Sequence, residues 1–576
     1  MKFYFAPMEG VSGYIYRNAY HKHFHSMDRY FTPFIAPKKN HAMSSKEKND
    51  VLPENNIGME VIPQILTNQA EYFLHTSAKL AEMGYKEVNL NLGCPSSTVV
   101  TKKKGAGFLS EPDRLEHFLE DVVKGLEPLG MQLSIKTRIG LRDVEEFAEL
   151  LEKEVLSCSR AIDNCDIKVA VMGYGVVGSG VAEIIYNHSD RMVQKAKDEI
   201  NVKYILDIRD FSDSPYKDKF VKDFSVIEND PDIKVVAEVI GGATFAYDYT
   251  VRALKAGKSV VTSNKELVAA KGYELLEMAK ENNVNFLFEA SVGGGIPIIR
   301  PISQCLAANE IEEIAGILNG TTNFILTKMI VEGMAFEDAL KLAQDNGYAE
   351  RDPSADIHGH DAARKICILA SLCFGKHVYP DFVETEGITN ITPEDVEYAK
   401  NWGGVIKLIG RAQKLNDNSI SATVGPCLIQ NHCQLASVDD VFNAILVRGD
   451  AIGDVVFYGK GAGKLPTASA VVADVIDCAK HTAKRKAFGW GPTEENYVID
   501  PVLQSTALYV RAETEDYIAA YNEINKTFDS PLILHRDNAE KNEIAFVTPA
   551  IREKEARNAI AKLPIDVKSI LRVLDY

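Results

Sequence analysis

The chain has 576 residues, 46% hydrophobic and 25% charged, which is too long for one ordinary core and typical of globular protein, so three or more domains are expected. Its formal charge of -17 argues against a general nucleic-acid binder, because neutralising phosphates takes clustered Lys and Arg. No run approaches the roughly 18 apolar residues of a membrane span, and the start, Met1-Lys2-Phe3-Tyr4-Phe5-Ala6-Pro7, turns polar too soon for a secretory leader; a cytoplasmic protein with no membrane partner is expected.

Residues 1–152 carry 18 Lys and Arg against 20 Asp and Glu, a balance of -2, so -15 of the charge falls on the remainder. That contrast suggests two segments of different origin. In the first, Phe3 to Met8, Val61 to Leu66, Val88 to Leu92 and Leu133 to Thr137 read as buried strands, with helical spacing over Glu71 to Met83 and Asp113 to Leu126. Strand then helix, repeated, implies a parallel sheet or barrel. A helix is predicted over Val144 to Lys153, and residues 153–165, which have no clear period, are read as a junction.

A second β-α-β series starts at Ile167 and continues through Val202 to Leu206, Val235 to Val239, Ser259 to Thr262 and Asn285 to Glu289. This is the pattern of a doubly wound, Rossmann-type dinucleotide-binding domain over residues 166–296. Residues 297–480 mix helices and strands, an α+β domain, with residues 459–480 carrying a helix, Thr467 to Ala479, back to the Rossmann domain. Residues 500–576 then read as β-α-β-β-α-β, an order that resembles the small regulatory ACT domain, a ferredoxin-like fold. Nine cysteines without a CxxC pair fit reduced thiols better than a disulfide framework or a zinc site.

Gly173-Tyr174-Gly175-Val176-Val177-Gly178 follows a predicted strand and opens a helix. Glycines there let backbone N–H groups approach a pyrophosphate, although the same pattern also makes a plain tight turn. The next strand ends at Asp207, with Arg209 close behind. An acidic residue would hold a ribose 2′-hydroxyl and an arginine a 2′-phosphate, so NAD and NADP both stay open, with Arg209 tilting toward NADP. Asp361 and Lys365 stand at i, i+4 on a predicted helix. Alone, such residues are more often a solvated surface pair than a catalytic one.

The residues after 166 nevertheless resemble the homoserine dehydrogenase family through segments in family order. These are Glu238-Val239-Ile240-Gly241-Gly242, Thr262-Ser263-Asn264-Lys265, Glu289-Ala290-Ser291-Val292-Gly293-Gly294-Gly295-Ile296-Pro297, Asn319-Gly320-Thr321-Thr322-Asn323, Gly347-Tyr348-Ala349-Glu350, Asp352-Pro353 through Lys365, and Gly459-Lys460-Gly461-Ala462-Gly463. The resemblance implies an NAD(P)-dependent oxidoreductase interconverting homoserine and aspartate semialdehyde in threonine, methionine and isoleucine biosynthesis. It makes Lys365 the proton donor and acceptor, with Asp361 and Glu350 binding the substrate and Asp356 a supporting partner. Lys265 would stand near cofactor and substrate. Gly241, Gly242, Gly347 and Gly461 would allow close approach of the cofactor, and Glu350 would also border it. Backbone oxygens of Glu289, Val292, Gly294 and Ile296 would hold a sodium ion, and the family forms homo-oligomers. An ACT module would take a small effector, threonine by hypothesis, at the loop Ala512-Glu513-Thr514-Glu515-Asp516, which lacks the usual glycine.

Residues 1–152 resemble the first part of a tRNA-dihydrouridine synthase, an FMN-dependent TIM barrel. The carriers are Ala6-Pro7-Met8-Glu9-Gly10, Pro63-Gln64-Ile65-Leu66, Val88 to Pro95, Lys104-Gly105-Ala106-Gly107 and Lys136-Thr137-Arg138. The resemblance implies Cys94 as general acid toward uridine, with Met8, Gln64 and Lys136 at the flavin. About five of eight strands are present, and the His-bearing strand and phosphate loop of the family do not follow Arg138. A barrel's phosphate site is built near strands 7 and 8, so neither FMN nor tRNA is expected to bind and the flavin-type site is read as vestigial. A bifunctional flavoenzyme and a catalytically silent regulatory protein are the two alternatives.

Overall fold

The computed structural model describes residues 4–8, 11–24, 27–38, 43–137, 167–188, 199–415, 418–481, 485–537 and 539–574. It divides into two compact units, Met1–Asp166 and Ile167–Tyr576. The predicted helix over Val144 to Lys153 and the junction 153–165 lie outside the described residues.

In the first unit, strands Tyr4–Phe5, Arg29–Phe31 and Val61–Ile62 pair in parallel. A second parallel set is formed by Gln64–Ile65, Glu87–Asn91 and Gln132–Lys136. The expected strand Val61 to Leu66 is thus split at Pro63, whose lack of an N–H interrupts a ladder, and its two halves serve different neighbours. Helices Ala70–Glu82 and Pro112–Leu126 cover the sheet with Phe73, Leu80, Leu115, Phe118 and Leu119. The structure adds strand Arg29–Phe31 and helices Tyr14–His23 and Ser45–Val51 to the expected elements.

The second unit begins with six parallel strands. In chain order they are Ile167–Met172, Ile200–Leu206, Phe220–Val221, Ile233–Glu238, Ser259–Thr262 and Phe286–Leu287, arranged 3-2-1-4-5-6 across the sheet. This order puts a reversal between the first and fourth strands, where ligands bind at the carboxyl ends. Helix Lys464–Lys480 packs beside helix Val176–Asn187, with Val181 and Ile185 meeting Val471, Val472 and Val475 in one core. A Cβ on Gly180 would come within 2.9 Å of the Ala468 methyl, so glycine is needed for that closeness.

A second sheet runs through strands Gly453–Lys460, Phe442–Gly449, Ile311–Ile317, Gly404–Lys414 and Ile420–Gln430, and is packed by helices Gly320–Glu332 and His360–Phe374. The C-terminal residues form strands Ser505–Glu513, Leu532–Leu534, Glu543–Val547 and Asp566–Leu574 with helices Tyr517–Thr527 and Glu553–Ile560, in spatial order fourth, first, third, second. This is not a separate sheet. Asp566–Leu574 pairs in parallel with Ile420–Gln430, Cys427 opposite Arg572 and Ile429 opposite Leu574, making one sheet of 11 strands. The join satisfies an edge whose unpaired N–H and C=O groups would otherwise face solvent. Among the described residues the seven cysteines are free thiols, and no helix is long and apolar enough to cross a membrane.

Candidate active site

The dinucleotide crevice is built by close backbone approach. Gly173 takes φ +96° at the end of its strand, and a Cβ on Gly178 would lie 1.9 Å from the Gly173 carbonyl oxygen. Nothing stands before Gly175, so the first turn of helix Val176–Asn187, with Val177 in it, presents its N-terminal N–H groups openly. Such a terminus suits a pyrophosphate. Asp207 and Arg209, the two candidates for the ribose, bind each other. Asp207 Oδ1 accepts from Arg209 N and Nε at 3.0 Å, while Oδ2 accepts from Arg209 Nη2 at 2.9 Å and Tyr174 N at 2.8 Å. The Arg209 guanidinium holds the Asp207 carboxyl down at about 2. Gly241 and Gly242 have open space before their Cα atoms.

The reacting cluster sits where the dinucleotide domain meets the second sheet. Helix His360–Phe374 starts after Gly359, at φ +83°, and places Asp361 in its first turn with Lys365 one turn later. Both are buried, at 3% and 7% exposure, which excludes the solvated surface pair. Lys365 Nζ donates to Asp361 Oδ2 at 2.8 Å and to the Leu318 carbonyl at 2.7 Å. Lys265 Nζ, from the first residue of helix Lys265–Glu281, lies 2.5 Å from Asp361 Oδ1. One carboxylate therefore bridges two ammonium groups. Burial alone would raise the Asp361 carboxyl, but Lys365 and Lys265 overcome it and hold it well below the carboxylate range. Burial lowers Lys365, aided by the charge of Lys265 and opposed by Asp361. For Lys265 burial also pulls down, yet Asp361 outweighs it and the net shift is upward.

Asn319 was not singled out from the sequence. Its amide Nδ2 donates to Asp361 Oδ2 at 2.9 Å and to Asp356 Oδ1 at 2.7 Å, so it spaces two carboxylates, while its Oδ1 caps helix Gly320–Glu332 by accepting from Thr322 N. The available signal was an Asn just before a helix, a preferred N-cap. Burial raises the Asp356 carboxyl, and the charge of Asp361 raises it further.

Gly347, at φ +72°, ends the turn after helix Phe336–Asp345, and Thr321 Oγ1 donates to the Tyr348 carbonyl at 2.7 Å, which ties that turn to the start of helix Gly320–Glu332. Glu350 follows it, exposed; among the described residues its carboxylate has no ion-pair partner, and it is not drawn into the Asp361 cluster. Gly294 and Gly461 are in close contact, since a Cβ on Gly294 would be 2.3 Å from the Gly461 carbonyl oxygen. In this loop Glu289 does not offer its side chain to a cation. Its carboxylate accepts from the N–H groups of Ile298, Ile299 and Arg300 at 2.6 to 2.9 Å. Val292, Gly294 and Ile296 are buried beside it.

In the first unit the Asn91 side chain joins Gln64 to the Cys94 N–H, and Lys136 stands opposite Asn91 on the neighbouring strand. Met8 is 62% exposed. Gln64 is fully buried, donating to Asn89 Oδ1 at 2.8 Å and accepting from Asn91 Nδ2 at 2.6 Å. Cys94 is half-buried, its N–H donating to Asn91 Oδ1 at 2.9 Å. Lys136 is half-buried at the end of its strand, and Glu9, Gly10 and Arg138 of the quoted motifs lie outside the described residues. At the other end of the chain, the expected effector loop is bonded internally: Thr514 Oγ1 donates to the Asp516 and Pro564 carbonyls at 3.2 Å, and Asp516 caps helix Tyr517–Thr527.

Comparison with known proteins follows the same division. The family described as homoserine dehydrogenase matches residues 297–476, its NAD-binding domain matches residues 173–289, and the dihydrouridine synthase family matches residues 4–158. The homoserine dehydrogenase of Bacillus subtilis (strain 168) is 41% identical over 370 residues, 63% of this chain and 84% of that one. That of Neisseria gonorrhoeae is 36% identical over 413 residues, 69% and 95% of the two chains. The crystal structure of a homoserine dehydrogenase from Thiobacillus denitrificans superposes with a TM-score of 0.65 at 36% identity, covering 71% of this chain and 98% of that one.

Proposed function

The chain belongs to the homoserine dehydrogenase family, and we propose that its oxidoreductase chemistry, the interconversion of L-homoserine and L-aspartate 4-semialdehyde, runs through Lys365. The observation that carries this reading is one buried carboxylate, Asp361, held between ammonium groups from two domains. When bound, the nicotinamide supplies or takes up the hydride. Lys365 takes the hydroxyl proton as the alcohol becomes an aldehyde and returns it in reverse. Burial eases its deprotonation while Asp361 keeps the ammonium accessible, the balance a general acid/base needs. Lys265 steadies the alkoxide from the same carboxylate. Exposed Glu350 and half-buried Asp356 are the acidic groups for the substrate ammonium.

The open first turn at Gly175 and the Gly173–Gly178 contact fit a dinucleotide pyrophosphate. NADP is the cofactor we favour, because Arg209 neutralises Asp207, the group that would repel a 2′-phosphate. A sodium ion at the main-chain oxygens of Glu289, Val292, Gly294 and Ile296 belongs to this reading, supported by a Glu289 carboxylate already engaged by three N–H groups. So do homo-oligomers and an ACT-like C-terminal module, the latter supported by its strand order. Millimolar threonine that leaves the rate unchanged and binds undetectably by calorimetry ends the effector hypothesis.

For the first unit we infer a dihydrouridine synthase-like remnant of barrel type without flavin chemistry. The buried, doubly bonded Gln64 does not fit a flavin contact. An FMN spectrum co-eluting stoichiometrically with the protein overturns that inference. The decisive experiment for the main reading follows nicotinamide absorbance with homoserine and each cofactor, comparing the whole chain with Lys365→Ala. A loss of roughly 10²- to 10⁴-fold is expected; a variant as fast as wild type removes Lys365 from the mechanism, and an inactive wild type removes the function.

A further inference from the structure

Three groups outside the roles above form a closed network between the cofactor crevice and Lys265. Glu238 ends strand Ile233–Glu238 and is fully buried. Its Oε1 accepts from Ile240 N at 2.8 Å and its Oε2 from Thr262 Oγ1 at 2.5 Å. Thr262 Oγ1 in turn accepts from Asn264 N at 2.9 Å. Asn264 is the N-cap of helix Lys265–Glu281, with Oδ1 accepting from Leu267 N at 3.1 Å. Its amide nitrogen donates twice more, to the Ile240 carbonyl at 3.1 Å and the Gly242 carbonyl at 2.6 Å.

Capping alone does not require this residue. Ser, Asp and Asn cap a helix about equally well through a side-chain oxygen, but among them only Asn adds an N–H₂ group that can clasp two carbonyls. Those carbonyls belong to the turn that carries Gly241 and Gly242, the glycines with open space before them. The next residue after Asn264 is Lys265, which reaches Asp361. The buried Glu238 carboxyl, pushed up to about 7 by burial, anchors the far side of the turn through Ile240 N.

We propose that Asn264 is a positioning residue, fixing the Ile240–Gly242 turn against the helix that begins at Lys265, with Glu238 and Thr262 as its support. The inference rests on residues 173–289 being the nicotinamide-binding domain, and it assigns Asn264 to cofactor placement rather than to helix stability. A turn free to move would hold the cofactor at varying distances from Lys265, and geometry errors of about 1 Å are costly in rate.

The test is Asn264→Ser, which keeps a capping oxygen and removes both amide donors without adding charge beside Glu238. NADP binding is measured by fluorescence titration of the full chain, alongside its melting temperature without cofactor and its steady-state constants. The expected result is melting close to wild type, NADP affinity weaker by about tenfold from two lost hydrogen bonds, a lower kcat, and an unchanged KM for homoserine. Wild-type affinity and kcat in Asn264→Ser overturn the proposal, and so does a defect confined to melting temperature. Thr262→Val and Thr262→Ser form an independent pair: Val should reproduce the cofactor defect and Ser should restore binding, and failure of Ser to restore it counts against the network. A wild-type chain that binds neither NADP nor NAD would sink the nicotinamide reading itself, and this inference with it.

Discussion

Both units gather polar side chains, but the second draws charged groups from several helices onto one buried carboxylate. In the second unit Asp361 receives Lys365 from its own helix, Lys265 from the dinucleotide domain and Asn319 from a third helix start. In the first, the Gln64 side chain meets the amides of the adjacent strand, Asn89 and Asn91, and is sealed from solvent. The central strands are alike, five of six residues buried in Ile233–Glu238 and four of five in Glu87–Asn91, so the contrast lies in the groups around them. Motif residues become a site when elements distant in sequence close around them.

Four measurements bear on that contrast. The largest effect is expected from Asp361→Asn, which leaves two ammonium groups facing each other. Breaking a buried pair costs about 3–5 kcal/mol, so urea unfolding of the dehydrogenase unit should shift markedly and turnover should collapse, while a Gln64→Ala chain keeps full dehydrogenase rate. Next comes pH. Because burial lowers Lys365 below an ordinary lysine, homoserine oxidation, which needs the neutral amine, should rise about tenfold per unit below the inflection. Semialdehyde reduction should fall through the same inflection, which should lie under the usual lysine value; two profiles without a shared inflection would dissociate Lys365 from proton transfer. Smaller again, Arg209→Ala should raise KM for NADP several-fold and leave NAD unaffected; equal effects on both would mean that Arg209 serves only Asp207. Finally, Cys94→Ala should leave dehydrogenase activity unchanged, and any loss would show that the first unit participates.

The architecture was readable wherever local pattern decides it. The apolar run alone bounds Ser259–Thr262, and the four strands and two helices expected after residue 500 need only alternation, helical spacing and turn residues. Parallel continuation from Ile420–Gln430 into Asp566–Leu574 was not readable, because an edge strand's partner is set by tertiary docking and leaves no mark on the strand itself. In the site, the i, i+4 spacing put Asp361 and Lys365 together, and family motifs supplied Lys265. The bidentate clasp of Asn319 and the mutual pairing of Asp207 with Arg209 escaped, since an N-cap and an acidic strand end predict one bond each while the structure gives each several.

The helix Lys464–Lys480 that returns to cover Val176–Asn187 sets a schedule for biosynthesis. About 280 residues (464 − 187) separate the two helices, which at about 5–20 residues per second takes a ribosome roughly 15–55 s. Throughout that interval Val181 and Ile185 emerge without Val471, Val472 and Val475, their eventual partners. The dinucleotide domain therefore cannot complete its core until helix Lys464–Lys480 has been made. A chain stalled before residue 464 would leave the ribosome with its Val181 and Ile185 flank uncovered.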